Sequence, residues 1–115
     1  MNSLNEAHQQ AMEFAEQAFA ARRRDDPDAA RALALHAYRL EMEAAEHSVT
    51  EPRRSVLYRS AATLALDCGE YRAAERLVAL GLAGAPQVPI ANELRELLAA
   101  VYEAWNWRDQ TVTTG

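Results

Sequence analysis

Small and apolar residues recur at three- and four-residue steps along most of this chain, the spacing that gathers side chains on one face of an α-helix. Leu4, Ala7, Ala11, Phe14, Ala18 and Ala21 mark a first helix over about Asn5 to Arg24. Asp25-Asp26-Pro27-Asp28 breaks it. Asp26 suits an N-cap, Pro27 a first helical position that needs no N–H, and Asp28 the positive end of the helix dipole. A second helix runs from Pro27 to about His47, with Ala30, Leu33, Ala34, Ala37, Tyr38 and either Glu41 or Met42 on its inner stripe. Ser48 to Pro52 combines cap residues with a proline and forms the second break. The third helix covers about Pro52 to Cys68 and stops at Gly69, a left-handed C-cap; the fourth covers about Glu70 to Ala83 and stops at Gly84, with Pro86 beyond. Pro89 starts the fifth, which continues to about Trp107 on the stripe Leu94, Leu97, Leu98, Val101, Tyr102 and Trp105. Residues 109–115 are polar, β-branched and unpatterned, and are read as a flexible tail behind a single all-α domain over residues 1–108.

Composition narrows the fold. The 115 residues are half apolar and one quarter charged, so most of the chain is expected to be ordered. Alanine dominates the apolar half and Ile90 is the one isoleucine, which suits closely approaching helices and not a sheet. All the basic residues are arginine, and with the alanine excess this points to a bacterial genome of high G+C content. A net charge of −5 argues against general nucleic-acid binding, which needs a basic face. One cysteine, Cys68, cannot close an internal disulfide. The first residues carry no basic-then-apolar leader, and no apolar run approaches the roughly 20 residues that span a bilayer. The expectation is a soluble cytoplasmic protein without a membrane partner.

The usual chemical constellations do not emerge. The four glycines are scattered rather than gathered in a phosphate loop, and Cys68 lacks the spacing of a zinc site. Glu43 and His47 stand four apart on one helix face and read as a surface pair. His36 reads as an interior histidine between the first two helices, with no catalytic role. Arg22-Arg23-Arg24 complements the negative end of the first helix; a phosphate or acidic-peptide contact is the alternative. Trp105 continues the core stripe. Trp107 points elsewhere, either onto a contact surface or under the tail. No catalytic residue, metal or cofactor is assigned, and no enzyme activity is expected.

Residues Ser55 to Val88 resemble a tetratricopeptide repeat. Tyr58 takes the place of the first large residue, Ala62 and Ala74 those of the small residues where the two helices touch, Gly69 and Tyr71 those of the turn, and Pro86 that of the closing proline. Ala65 and Gly81 depart from the pattern, and Leu64 and Leu66 flank the first of them. A weaker copy precedes it: with Ala30 matched to Ala74, Phe14 falls opposite Tyr58, Ala18 opposite Ala62, and Asp25 and Pro27 replace the turn residues. The copies are 44 residues apart (Ala30 to Ala74), against 34 in the family. The resemblance spans roughly residues 11 to 105 and implies antiparallel hairpins in a right-handed superhelix of about two units closed by a terminal helix. Glu51 to Tyr102 also resembles a segment of uncharacterised bacterial proteins.

In the family, the first helices of each unit line a concave groove. The resemblance therefore implies a groove built from Met12, Ala15, Phe19, Arg22 and Arg23 of the first helix and Val56, Arg59, Thr63, Leu66 and Asp67 of the third. Independently, Met12, Ala15 and Phe19 form a second apolar strip on the first helix, which needs a second covering surface: a partner, helix five or the tail, or another copy. The family's carboxylate-clamp positions are occupied here by Ala15, Phe19 and Ser60, so no such clamp is expected; Arg59 remains as an anchor for one acidic group. The leading expectation is a protein–protein interaction module, an adaptor or regulatory subunit that holds a peptide or helix of another protein, with the groove and Trp107 as contact sites. The alternative is a self-assembling homodimer.

Overall fold

The computed structural model describes the backbone of residues 3–113 and the side chains of residues 5–108. Five helices follow one another: α1 (Ser3–Arg23), α2 (Pro27–His47), α3 (Arg53–Asp67), α4 (Tyr71–Ala83) and α5 (Val88–Thr113). There is no strand among the described residues. Leu4 of the first stripe lies outside the described side chains. Helix α5 runs on to Thr113, past the end near Trp107 expected from the pattern. Residues 108–113 contain no glycine or proline, and polar or β-branched residues each weaken a helix by only about 0.7 kcal/mol or less. Loss of periodicity there does not mark the end of the helix.

Short connections fold each helix back on its predecessor, and α1 packs on α2, α2 on α3, α3 on α4 and α4 on α5, with α3 also touching α5. Helices α1 and α3 thus run in the same direction on α2. They are tied at both ends: Arg53 donates to Asn5 at 2.8 Å, and Arg22 faces Asp67 electrostatically. The result is an elongated slab with extents of 47 × 27 × 18 Å.

The turn inside each hairpin is built the same way. Asp25 has φ 61° and Gly69 φ 80°, both left-handed. Asp26 N donates to Ala21 O at 3.0 Å and Asp25 N to Arg22 O at 3.1 Å; at an offset of 44 residues, Glu70 N donates to Ala65 O at 2.9 Å and Gly69 N to Leu66 O at 3.0 Å. This is the common helix-terminating motif with a left-handed residue at its end. Its recurrence here matches the offset at which Ala30 and Ala74 correspond. Asp26 also caps α2, its carboxylate accepting the Ala29 N–H at 3.2 Å.

Two kinds of core result. Between α1 and α2 the buried apolar side chains are alanines: Ala11, Ala18 and Ala21 against Ala30, Ala34 and Ala37. From the second half of α2 onward the core gains volume, with Leu57, Tyr58, Leu77, Val78, Leu94 and Val101 buried around Ala44, Ala61, Ala62 and Ala74. Gly81 explains itself here. A Cβ on it would lie 3.1 Å from Leu94 Cδ1 and 3.2 Å from Tyr58 Cβ, tighter than ordinary packing, so an alanine here would require those neighbours to give by a few tenths of an ångström. Ala65 is buried, and Leu64 and Leu66 beside it are buried and half-buried. Tyr102 is exposed at the margin of the α5 stripe, and its hydroxyl donates to Glu75 of α4 at 2.5 Å. Trp105 is half-buried against the core and stacks on Tyr71, with ring centroids 6.2 Å apart.

Candidate functional site

Where the C-termini of α1 and α3 meet the N-termini of α2 and α4, the surface opens into a cleft of about 440 Å³. Arg22, Arg31 and Arg108 reach it from α1, α2 and α5, and among the described residues Asp67 is the one carboxylate on its wall. Leu66, Tyr71 and Ala30 supply apolar surface, and Cys68 and Gly69 of the second turn complete the wall. Arg108 lies over the Tyr71 ring, 5.8 Å from its centroid. Burial raises the Asp67 pKa above its usual range, and the positive charge of Arg22 works against that rise. Cys68 is buried, its thiol donates to Ala65 O at 3.4 Å, and desolvation raises its pKa. It is a protonated structural thiol rather than a nucleophile.

Of the residues assigned to the groove and contact surface from sequence, Arg22 and Leu66 line this cleft together, and Asp67 stands beside them. The others lie outside its walls. Met12, Ala15 and Val56 are half-buried along α1 and α3. Phe19 is 59% exposed one turn before Arg22, and the Arg23 guanidinium lies 6.0 Å from its ring centroid. Thr63 is exposed and its hydroxyl donates to Arg59 O at 2.9 Å. Trp107 is 67% exposed, next to the cleft residue Arg108. Arg59, expected to be an anchor for an acidic group, is ion-paired with Glu93 of α5. That pair joins residues 34 positions apart and has no signature in local spacing.

Two histidines depart from expectation. His36 is exposed, not interior, and stacks on Phe14 of α1 with ring centroids 5.2 Å apart. His8, given no role from sequence, holds a fully buried carboxylate: its Nδ1 lies 2.8 Å from Oε1 and 3.1 Å from Oε2 of Glu41. Burial raises the Glu41 pKa, and the His8 hydrogen bond, His8 charge and Arg53 each oppose the rise. Glu41 occupies an apolar stripe position, the one signal that marked it. His47 bonds the Glu43 backbone carbonyl at 2.8 Å and not its carboxylate.

Glu51 organises the opposite end of the α3–α4 hairpin. Its carboxylate accepts Ser55 N–H at 2.9 Å and Ser55 O–H at 2.6 Å, capping α3, and also accepts Ala85 N–H at 2.9 Å from the α4–α5 connection. Desolvation pushes its pKa upward, but the Ser55 and Ala85 hydrogen bonds and the Arg54 charge together bring it below the usual value. Arg54 donates to Leu80 O at 2.8 Å and lies over the Tyr58 ring, 4.8 Å from its centroid.

Among the described residues, no group of three or more His, Cys, Asp or Glu side chains is placed to hold a metal ion, and no helix is long and apolar enough to cross a membrane. No protein-family model, no curated protein and no solved structure matches this chain.

Proposed function

We propose that the chain is a tetratricopeptide-like protein–protein interaction module that holds a peptide or helix of a partner protein along α1 and α3. The observation that carries the reading is Phe19: a large apolar side chain exposed on a helix whose opposite face is already buried, next to Arg22 at the mouth of the cleft. An exposed aromatic beside guanidinium groups is the composition of interface anchors. The repeated turn and the small residues at both hairpin crossings support the repeat reading. A binding role also fits Glu41, among the described residues the one fully buried acid, which has no exposed surface for a substrate to reach.

Tagged protein captured from lysate of the source organism, with co-purifying proteins identified by mass spectrometry, tests this. Phe19→Glu is the informative variant once circular dichroism shows that it folds; Arg59→Glu would confuse the outcome by setting a carboxylate against Glu93. A partner retained by the wild type and lost with Phe19→Glu is the expected result.

A second reading has its own motive. Two units fall short of the roughly three that helical arrays need for stability, and Phe19 and Trp107 are both exposed. Self-assembly through either would supply the missing burial. Sedimentation over a range of concentrations separates the readings: a monomer throughout removes self-assembly, and a defined oligomer dispersed by Phe19→Glu or Trp107→Glu installs it.

A further inference from the structure

The cleft at the turn end of the hairpins carries a charge opposite to that of the chain. Among the described residues, three guanidinium groups from three helices face one carboxylate, on a protein of net charge −5. Among the described residues, Arg22, Arg31 and Arg108 make no ion pair within 4 Å, whereas Arg54 and Arg59 on α3 both do. Asp67 offsets part of the Arg22 charge, and the convergent arginines that remain in a concave site focus potential and attract anions. We propose that this cleft anchors the carboxylate side chains of an acidic peptide segment. The proposal deepens the interaction-module reading above and rests on it.

Three features select this ligand. Guanidinium forks match carboxylates two bonds at a time. Leu66 and the Tyr71 ring, with Arg108 laid over it, offer apolar surface to the methylenes of glutamate. Four backbone amides at the two turns are committed: Gly69 N and Glu70 N close the turn onto Leu66 O and Ala65 O, while Ala29 N and Ala30 N are held by Asp26. A phosphate cradle is built from free backbone N–H groups, and these four do not form one. The three guanidinium groups are side-chain donors spread along an open cleft, suited to a chain of acids rather than to one compact dianion. Phe19 lies one turn along α1 from Arg22, so the preferred segment carries an apolar residue beside its acids.

The test is fluorescence anisotropy of labelled hexaglutamate with the intact protein. Hexaglutamine serves as the neutral control and inorganic phosphate as a competitor. The double variant Arg31→Glu/Arg108→Glu changes two exposed side chains outside the α1–α3 groove. The expected results are saturable binding of hexaglutamate, none of hexaglutamine, and at least a tenfold loss of affinity in the double variant with its circular dichroism unchanged. If the double variant unfolds, Arg31→Gln alone is read instead, with at least a threefold loss expected. Absence of saturable binding, equal affinity in the variants, or displacement by phosphate at concentrations comparable to the peptide would overturn the proposal. The two readings separate cleanly. Partner capture that depends on Phe19 while hexaglutamate fails to bind removes the cleft and leaves the module. Hexaglutamate binding through Arg31 and Arg108 in a protein that recovers only itself from lysate leaves the cleft and removes the module.

Discussion

The two hairpins share a turn and differ in what fills them. In α1–α2 the seam is alanine against alanine, so the helices are held by close approach of backbones with little side-chain volume. In α3–α4 the same small residues mark the crossing, but Leu57, Tyr58, Leu77 and Val78 surround it and α5 closes it with Leu94 and Val101. Burial of apolar area scales with side-chain size, about 25 cal/mol per Å². The first hairpin therefore depends on its neighbour, through Ala44 and Ala45 at the far end of α2 and through Cys68 packed on Ala18 and Ala34. Two hairpins with the same turn thus differ in role, the second holding the larger core and the first packed on it as an arm.

The contrast can be broken at its strongest point first. Leu94→Ala, in the large-residue core, is expected to cost about 2–5 kcal/mol, read from urea unfolding. Ala34→Leu in the alanine seam fails for the opposite reason, overfilling a contact that has no slack, and is expected to cost about 1–3 kcal/mol. A neutral Ala34→Leu would mean that the seam is looser than its buried alanines indicate.

Buried Glu41 and half-buried Glu51 respond to pH with opposite signs. Glu51 has its folded pKa lowered from 4.5, so its contribution is complete above that value and is lost as pH falls through the lower folded value. Glu41 has its folded pKa raised from 4.5, so its contribution is complete below that value and is lost as pH rises through the folded value. Glu51→Gln is expected to cost about 1 kcal/mol at neutral pH and to flatten the acid limb of the stability profile. Glu41→Gln keeps a partner for His8 and removes the buried charge, so it is expected to gain about 1 kcal/mol at neutral pH and to flatten the profile above pH 4.5. Thermal melts from pH 4 to 8 check both.

The smallest effect sharpens the comparison of the turns. Gly69→Asp copies the first turn into the second and is expected to cost about 1 kcal/mol, because a side chain must then adopt positive φ. Asp25→Gly makes the reverse exchange and is expected to gain about 0.5 kcal/mol. Paired denaturation curves with additive shifts would show that the two turns are equivalent.

Most of the fold was legible in local sequence, and for particular reasons. Asp26-Pro27 begins α2 where cap chemistry requires, and Gly69 ends its helix with the φ that only it adopts freely. The end of α5 was not legible, because periodicity reports a buried face and not the helix itself. The site was less legible than the fold. Arg22 and Leu66 could be placed beside each other only through the resemblance, and Arg31 and Arg108 had no reason to be singled out, since their meeting depends on how three helices end. Glu41 looked like an imperfect apolar position because its partner, His8, lies 33 residues away. Arg59 looked available because Glu93 is equally remote in the chain.

Cys68, the chain's single cysteine, has a further consequence through its place against Ala18 and Ala34. Its sulfur is buried at the cleft wall, and parting of the first hairpin from the second would uncover it fully. The rate of thiol labelling therefore clocks that parting, and comparison with the global unfolding rate tells whether the alanine arm breathes by itself or only when the whole molecule lets go.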